Sequence, residues 1–364
     1  MSSEKTRPNL LDVAHHAGVS PATVSRVLNK TAPVRASVQE RVLTSVAALG
    51  YEPSPARANA ATSQGTIAVL ITDILNPFFP ELIRGVEDEA KVDRFALLLC
   101  DTAEDPQWEQ QVLRTLIGRS IDGMIVCASR LAAQDLIAFH DRQKTPMVVI
   151  NRCINHPGIP CVLVDFENAT YRAGRHLLSL NHTRIAYLAG PSASEASQAR
   201  RHGLELALTE AGLCLKPEWC PASFPNVDGG FQAMSALLAL PAAERPTAVL
   251  AYNDIMALGA LHAIRAHHLR VPEDISVVGF DDIAMAVHTN PPLTTIDQPK
   301  YRMGKLAMRI LRQAINGQTT VGEGYTLVES PLIVRESTAP LAVGNGHNLA
   351  GTRAADEKAD AWNR

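Results

Sequence analysis

A chain of 364 residues with 46% hydrophobic and 20% charged residues is long enough for more than one domain and is balanced for a water-soluble globular fold. No stretch approaches the roughly 18 consecutive apolar residues of a membrane span, and Met1-Ser2-Ser3-Glu4-Lys5 lacks the apolar core of a secretory signal, so a cytoplasmic location is expected. The net charge of −3 argues at first against nucleic acid, yet residues 1–62 carry seven Lys/Arg against four Asp/Glu, a net +3 that leaves −6 for the remainder. A small basic head on an acidic body suits a protein that touches DNA at one end only.

Residues 10–29 read as two short helices meeting at a turn. Leu10, Val13, Ala14 and Ala17 fall at i, i+3, i+4, i+7, one apolar helical face. Gly18 tolerates the positive φ that ends a helix. Ser20 is placed to cap the next helix, and Pro21 fits its first position. In that second helix Val24, Val27 and Leu28 pack inward, which leaves Pro21, Ala22, Ser25, Arg26 and Asn29 outward. Small side chains permit close approach to a major groove, hydroxyls meet phosphates, and Arg forks onto guanine O6/N7. From spacing alone, an αα-hairpin that never meets nucleic acid remains the alternative. A third helix follows through Val38, Val42, Val46 and Leu49, ended by Gly50. Three helices in about 50 residues bury little core, so the unit is marginally stable alone. Tyr51 to Thr62, rich in Pro and Ala, reads as a linker.

The wording is more specific than the spacing. LLDVAHHAGVSPATVSRVLN resembles the N-terminal headpiece of the lactose-repressor (LacI/GalR) family, whose usual form is close to x-x-DVA-x-x-AGVS-x-x-TVSRVLN. The resemblance implies a DNA reader over residues 1–53 and a hinge over 54–63, with Ser20, Pro21, Ala22, Thr23, Ser25, Arg26, Asn29 and Arg57 as DNA-contacting candidates. In the family a leucine nine positions after the tyrosine wedges into the minor groove; here that position is Ala60, and Asn59 and Ala61 offer no wedge either. A groove-opening kink and a plain tether therefore both stay open.

From Thr66 the pattern changes to short, nearly continuous apolar runs: Ile67–Ile71, Phe95–Cys100, Met124–Cys127, Met147–Ile150, Cys161–Val164, Ile185–Ala189, Val249–Ala251 and Ile275–Val278. Such runs suit strands buried on both faces of a parallel sheet. Amphipathic stretches such as Phe79, Leu82, Ile83, Val86 and Ala90 lie between them. Alternation over about 270 residues points to two doubly wound lobes. Polar residues follow the strands: Asp73 and Asn76, Asp101, Ser129, Asn151-Arg152, Asp165, Gly190-Pro191-Ser192, Asn253-Asp254, and Asp281-Asp282. The carboxyl ends of parallel strands are where open α/β sheets bind ligands.

The family resemblance continues through Asn76-Pro77-Phe78-Phe79, YNDIMALGAL (252–261), LRVPEDISVVGFDD (269–282) and PPLTTIDQP (291–299) to about residue 340. It implies a two-lobed, type I periplasmic-binding-protein-like effector domain over 64–340, behind the small all-α helix-turn-helix headpiece. Three crossings between lobes are expected near 163–165, 290–296 and 326–329, which gives a first lobe of about 64–163 and 296–326 and a second of about 165–290 and 328–340. Residues 341–364, polar and without leucine heptads, are expected to be a disordered tail with no tetramerising coiled coil.

The resemblance maps effector contacts onto Arg200, Asn253, Asp281 and Gln298. Acceptor-only Asp, donor-only Arg and two-way amides together match a polyhydroxylated ligand, so a sugar or sugar derivative is the expected effector. Asp73, Asn76 and Asp101 are candidates from the first lobe, Phe78 or Phe79 for stacking on a ring, and Phe224 for closing the far side. Arg152 either meets an acidic ligand group or pairs with a carboxylate such as Asp165. Bland readings stand beside these: Asp281-Asp282 and Asn253-Asp254 as caps, Arg200-Arg201 as a solvated turn, Phe78-Phe79 as partly core. His15-His16 and His267-His268 have no third partner at metal-ligand spacing. Six scattered cysteines (Cys100, Cys127, Cys153, Cys161, Cys214, Cys220) without C-x-x-C suggest free, mostly buried thiols.

No G-x-S-x-G elbow, phosphate loop or H-E-x-x-H is present, so no catalysis, cofactor or metal is expected. The expected function is a DNA-binding regulator, acting as a homodimer on a pseudo-palindromic operator. A nucleobase co-repressor in the same architecture is the alternative. A transporter's solute-binding protein would share the lobes but have no helix-turn-helix.

Overall fold

The computed structural model describes residues 10–29, 34–49, 65–318 and 324–341. The hinge, with Arg57 and Ala60, and the tail from residue 342 lie outside the described residues.

Helices α1 (Leu10–Ala17), α2 (Pro21–Asn29) and α3 (Ala36–Leu49) form the head. Val13, Ala14, Ala17, Val24, Val27 and Val42 make its core, with Val19, Leu28, Val46 and Leu49 packed at the edge. Gly18 takes φ 62° and lets Val19 N–H donate to Ala14 O at 3.0 Å, closing α1. Ser20 caps α2 through Thr23 N–H at 3.2 Å, and Pro21 opens the helix as expected. His16 Nδ1 lies 3.0 Å from Ser45 Oγ, tying α1 to α3.

The larger unit begins with β1 (Gly65–Ile71), α4 (Phe78–Ala90), β2 (Phe95–Asp101), α5 (Pro106–Leu116), β3 (Gly123–Cys127), α6 (Ala133–Gln143), β4 (Met147–Ile150) and β5 (Cys161–Val164). It continues with α7 (Phe166–Ser179), β6 (Ile185–Leu188), α8 (Glu195–Glu210), α9 (Val227–Leu238), β7 (Ala248–Ala251), α10 (Asp254–Ala266), β8 (Ser276–Asp281) and β9 (Thr294–Asp297). Helix α11 (Lys300–Ile315) and strands β10 (Tyr325–Val328) and β11 (Leu332–Ile333) complete it. A six-stranded sheet runs β10-β5-β4-β3-β1-β2 with every pairing parallel. A five-stranded sheet runs β11-β9-β8-β7-β6, parallel except that β11 lies antiparallel to β9. Central strands such as β3, β4 and β7 are buried throughout, which is why they read as unbroken apolar runs.

The expectation of a crossing at 290–296 is corrected. Thr294 to Asp297 pair with Val278 to Asp281, so this stretch is a strand of the second sheet, and the chain passes to the first lobe at 298–299. Thr294 and Thr295 look like loop in sequence, but both are fully buried: Ser337 Oγ accepts the Thr294 N–H, Thr338 shares the Thr294 hydroxyl, and Asp254 accepts the Thr295 hydroxyl. The return passage lies between Val328 and Leu332. Helices α4 and α11 of the first lobe pack tightly. Gly85 of α4 and Gly304 of α11 cross so closely that a methyl on either would overlap the carbonyl of Tyr301 or Leu82. The six cysteines are free, but Cys153 and Cys214 are exposed, against the expectation of mostly buried thiols.

Candidate functional site

The carboxyl ends of the two sheets enclose a narrow cleft. Thr72, Asn76, Phe78, Phe79, Glu104, Arg130 and Asn151 line it from the first lobe, Arg200, Tyr252, Asn253 and Asp281 from the second, and Gln298 from the passage between them.

Arg200 dominates the second wall. It projects from α8, is 3% exposed, and its guanidinium lies 3.9 Å from the ring centre of Phe280, 4.5 Å from Phe166 and 4.6 Å from Tyr252. Its Nε has no hydrogen-bond partner, and its carboxylate neighbour Asp281 stands off at 4.0 Å. A buried cation held by ring faces and left short of acceptors is prepared for oxygen atoms supplied from outside. The solvated-turn reading of this residue does not hold.

Asp281 closes β8 with φ 127°, a backbone geometry that costs energy for a residue with a side chain. Lys300, itself buried, fixes it by donating to the carbonyls of Asp281 at 2.7 Å, Asp282 at 2.9 Å and Gln298 at 3.1 Å. Gln298 Nε2 donates to Asp281 Oδ1 at 2.5 Å, and Asn151 Nδ2 donates to Gln298 Oε1 at 3.0 Å, which leaves Asn151 Oδ1 without a partner. Burial raises the pKa of Asp281, against the pull of Arg200, Lys300 and Gln298. Behind it Asp254 is raised too, by burial and then by the Asp281 charge. Asn253 caps α10 through Met256 N–H at 2.9 Å and still lines the cleft, so its cap and cleft positions coexist.

In the first wall Glu104 and Arg130 pair at 2.5 and 3.0 Å with side chains 7% and 6% exposed. Arg130 also donates to Ala128 O at 2.9 Å. Burial opposes the charged guanidinium, and Tyr252 and Glu104 outweigh it and raise its pKa. Phe78 and Phe79 meet edge to face with centres 5.2 Å apart; both belong to the core and both line the cleft. Asn76 accepts Phe78 N–H at 2.9 Å and so starts α4.

Asp73 and Phe224 sit elsewhere, in an outer hollow at the mouth with Leu75, Ala103 and Val227, where Phe224 is 51% exposed. Asp101 is corrected: its carboxylate accepts Ile74 N–H and Ala103 N–H, both at 3.2 Å, and so shapes the loop instead of lining the cleft. Arg152 does not line the cleft and takes its second reading, a pair with a carboxylate, with Glu195 in place of Asp165. Its guanidinium donates to the carbonyls of Ser129 and Leu131 in its own lobe and binds Glu195 of the other at 2.7 Å. It clasps the lobes together. Because Glu195 is half exposed, the pair is worth at most ~1 kcal/mol. Glu195→Gln is therefore expected to weaken ligand binding up to about fivefold at low salt. Titrations repeated in 0.5 M salt should show the difference shrink.

Glu104, Arg130, Thr72 and Tyr252 line the cleft without having been singled out in the sequence, and Asn151 was named there only as a polar residue at a strand end. Asn151 was visible as the residue directly after β4, and Tyr252 as the residue after β7, but the pairing of Glu104 with Arg130 has no local signal. On the head, Ser20, Pro21 and Arg26 are exposed and Thr23 is half-buried. Ala22, Ser25 and Asn29 lie on the same helix, α2.

A helix-turn-helix head and a two-lobed cleft with an unsatisfied cation define a ligand-responsive DNA-binding protein. Residues 9–54 match the description "Bacterial regulatory proteins, lacI family" and residues 175–338 match "Periplasmic binding protein-like domain". The HTH-type transcriptional repressor PurR of Aliivibrio fischeri (strain MJ11) is 38% identical over 305 residues, 84% of this chain and 90% of its own. Among solved structures, the transcriptional regulator CelR–cellobiose complex superposes with TM-score 0.68 at 32% identity, over 91% of this chain and 100% of that one. The lac repressor dimer bound to operator and the anti-inducer ONPF gives 0.70 at 30%, over 92% and 100%. The chain belongs to the lacI family of bacterial regulatory proteins: it is a DNA-binding transcriptional regulator under the control of a small-molecule effector.

Proposed function

We propose that this regulator is a repressor that binds a pseudo-palindromic operator as a homodimer in the cytoplasm, without a catalytic step or cofactor, and that its effector is a polyhydroxylated molecule of the sugar class. The observation that carries the effector class is Arg200, a buried guanidinium with Nε unpartnered, facing a cleft that also presents the amides of Asn76, Asn151, Asn253 and Gln298 and the Asp281 carboxylate. Sugar hydroxyls both donate and accept, so they can satisfy Arg200, Asn151 Oδ1 and Asp281 together. The faces of Phe166, Tyr252 and Phe280 are occupied by Arg200, which leaves few faces for a flat base. The cellobiose complex of the structural neighbour CelR points the same way.

The edge-to-face pair Phe78–Phe79 in the cleft favours the second reading, a nucleobase effector. A thermal-shift titration with sugars, nucleosides and purine bases separates the two. A rise in melting temperature with sugars supports the first; a rise with purines alone overturns it.

One headpiece reads few base pairs, so the dimer pairs two readers on a twofold site. The segment between α3 and β1 enters the first lobe, so a shift of one lobe against the other alters headpiece spacing. The ligand changes DNA affinity only by its difference in affinity for the two lobe arrangements.

A further inference from the structure

Four charged side chains line the cleft: Glu104 and Arg130 from the first lobe, Arg200 and Asp281 from the second. They balance to zero. Arg200 alone, short of acceptors, would welcome a phosphate or carboxylate. Arg130 differs from it in one respect that matters. Glu104 takes its Nε and Nη2 at 2.5 and 3.0 Å, and Ala128 O takes a third N–H through Nη1, so at least three of five N–H groups are spent. What remains is a hydrogen-bond donor whose charge is already matched.

We propose that the Glu104–Arg130 pair is a specificity determinant of this cleft, which selects uncharged hydroxylated ligands and turns away their phosphorylated or carboxylated counterparts. The inference rests on the reading of this cleft as the effector site, though not on the effector being a sugar. Glu104, 7% exposed, cancels the charge of Arg130, so the wall offers an anionic group no net positive charge to offset the loss of its water. Charges this buried are poorly screened, so one unit of lining charge changes the affinity for an anion by about tenfold or more. Arg130 keeps its guanidinium plane through the two-point contact, which a lysine would not reproduce.

The test uses the full chain and neutral–anionic ligand pairs: ribose with ribose 5-phosphate, glucose with glucuronate, cellobiose with cellobionate, and cytidine and adenosine with their 5′-monophosphates. Titration calorimetry at pH 7.5 and low salt gives the ratio of neutral to anionic affinity for each pair bound. The native protein is expected to prefer the neutral member by at least about tenfold, and Glu104→Gln to lose that preference by about tenfold or more. Arg130→Met leaves the lining one charge negative and is expected to sharpen the preference. The double substitution returns the lining to zero and should restore it, which separates selectivity from loss of folding. A native preference for the anionic member, or a ratio that Glu104→Gln leaves within threefold, overturns the proposal. Binding confined to a nucleoside pair overturns the sugar reading while still testing the selectivity, and binding of no pair overturns both.

Discussion

Arg200→Ala is expected to raise the dissociation constant for the cleft ligand by at least about a hundredfold while the protein still binds its operator. The guanidinium offers charge-assisted hydrogen bonds worth about 1.5–3 kcal/mol each, and two of them suffice for that loss. It also fills the space among Phe166, Tyr252 and Phe280, so alanine removes packing as well as hydrogen bonding. Arg200→Met separates the two effects, because methionine keeps most of the stack and none of the donors. Both variants should fail to respond to ligand in an operator-release assay. Retention of the native response by Arg200→Met would remove Arg200 from the ligand's contacts. Arg200→Lys is not a mild change here, since an ammonium neither stacks on three rings nor forks onto two oxygens.

Arg26→Ala is expected to weaken operator binding by about 1–3 kcal/mol per half-site, hence about twice that for a dimer, and to relax discrimination at the base pair it meets. Arg26 is exposed on α2, and that helix is held by the Ser20 cap and by Val24 and Val27 in the head's core, so the truncation leaves the fold alone. The measurement is fluorescence anisotropy on a duplex selected from a randomised pool, beside a duplex with single-base changes. Uniform weakening on every duplex, with a smaller salt slope, would make Arg26 a phosphate contact instead of a base reader. Unchanged affinity would remove α2 as the reader.

Local patterns carried most of the fold. The head was legible because its determinants lie within 40 residues: apolar spacing, Gly18 with its positive φ, and the Ser20-Pro21 start. Sheet strands buried on both faces announce themselves as unbroken apolar runs, and the polar residues at their ends mark a binding edge. Strand β9 escaped that logic. Thr294 and Thr295 are polar by composition and buried in fact, because their partners Ser337, Thr338 and Asp254 come from distant parts of the chain.

The cleft shows the same division. Asn76, Phe78, Phe79, Arg200, Asn253, Asp281 and Gln298 are gathered where the strand ends predicted a ligand edge. Asp101 and Arg152 also follow strands, yet turn to a loop backbone and to Glu195. Position after a strand sets which edge a residue occupies. It does not set which way a long side chain reaches.

The sequence by itself determined the reader helix, the two-lobed α/β body and the edge on which a ligand would sit, because each follows from contacts among near neighbours or from uninterrupted burial. Only the tertiary structure decided that Arg200 is left without enough acceptors, that Arg152 clasps the lobes, and that Glu104 neutralises Arg130 from 26 positions away. Those outcomes depend on which charges meet once water is excluded, and a charge has no preferred partner until folding brings one within a few ångströms.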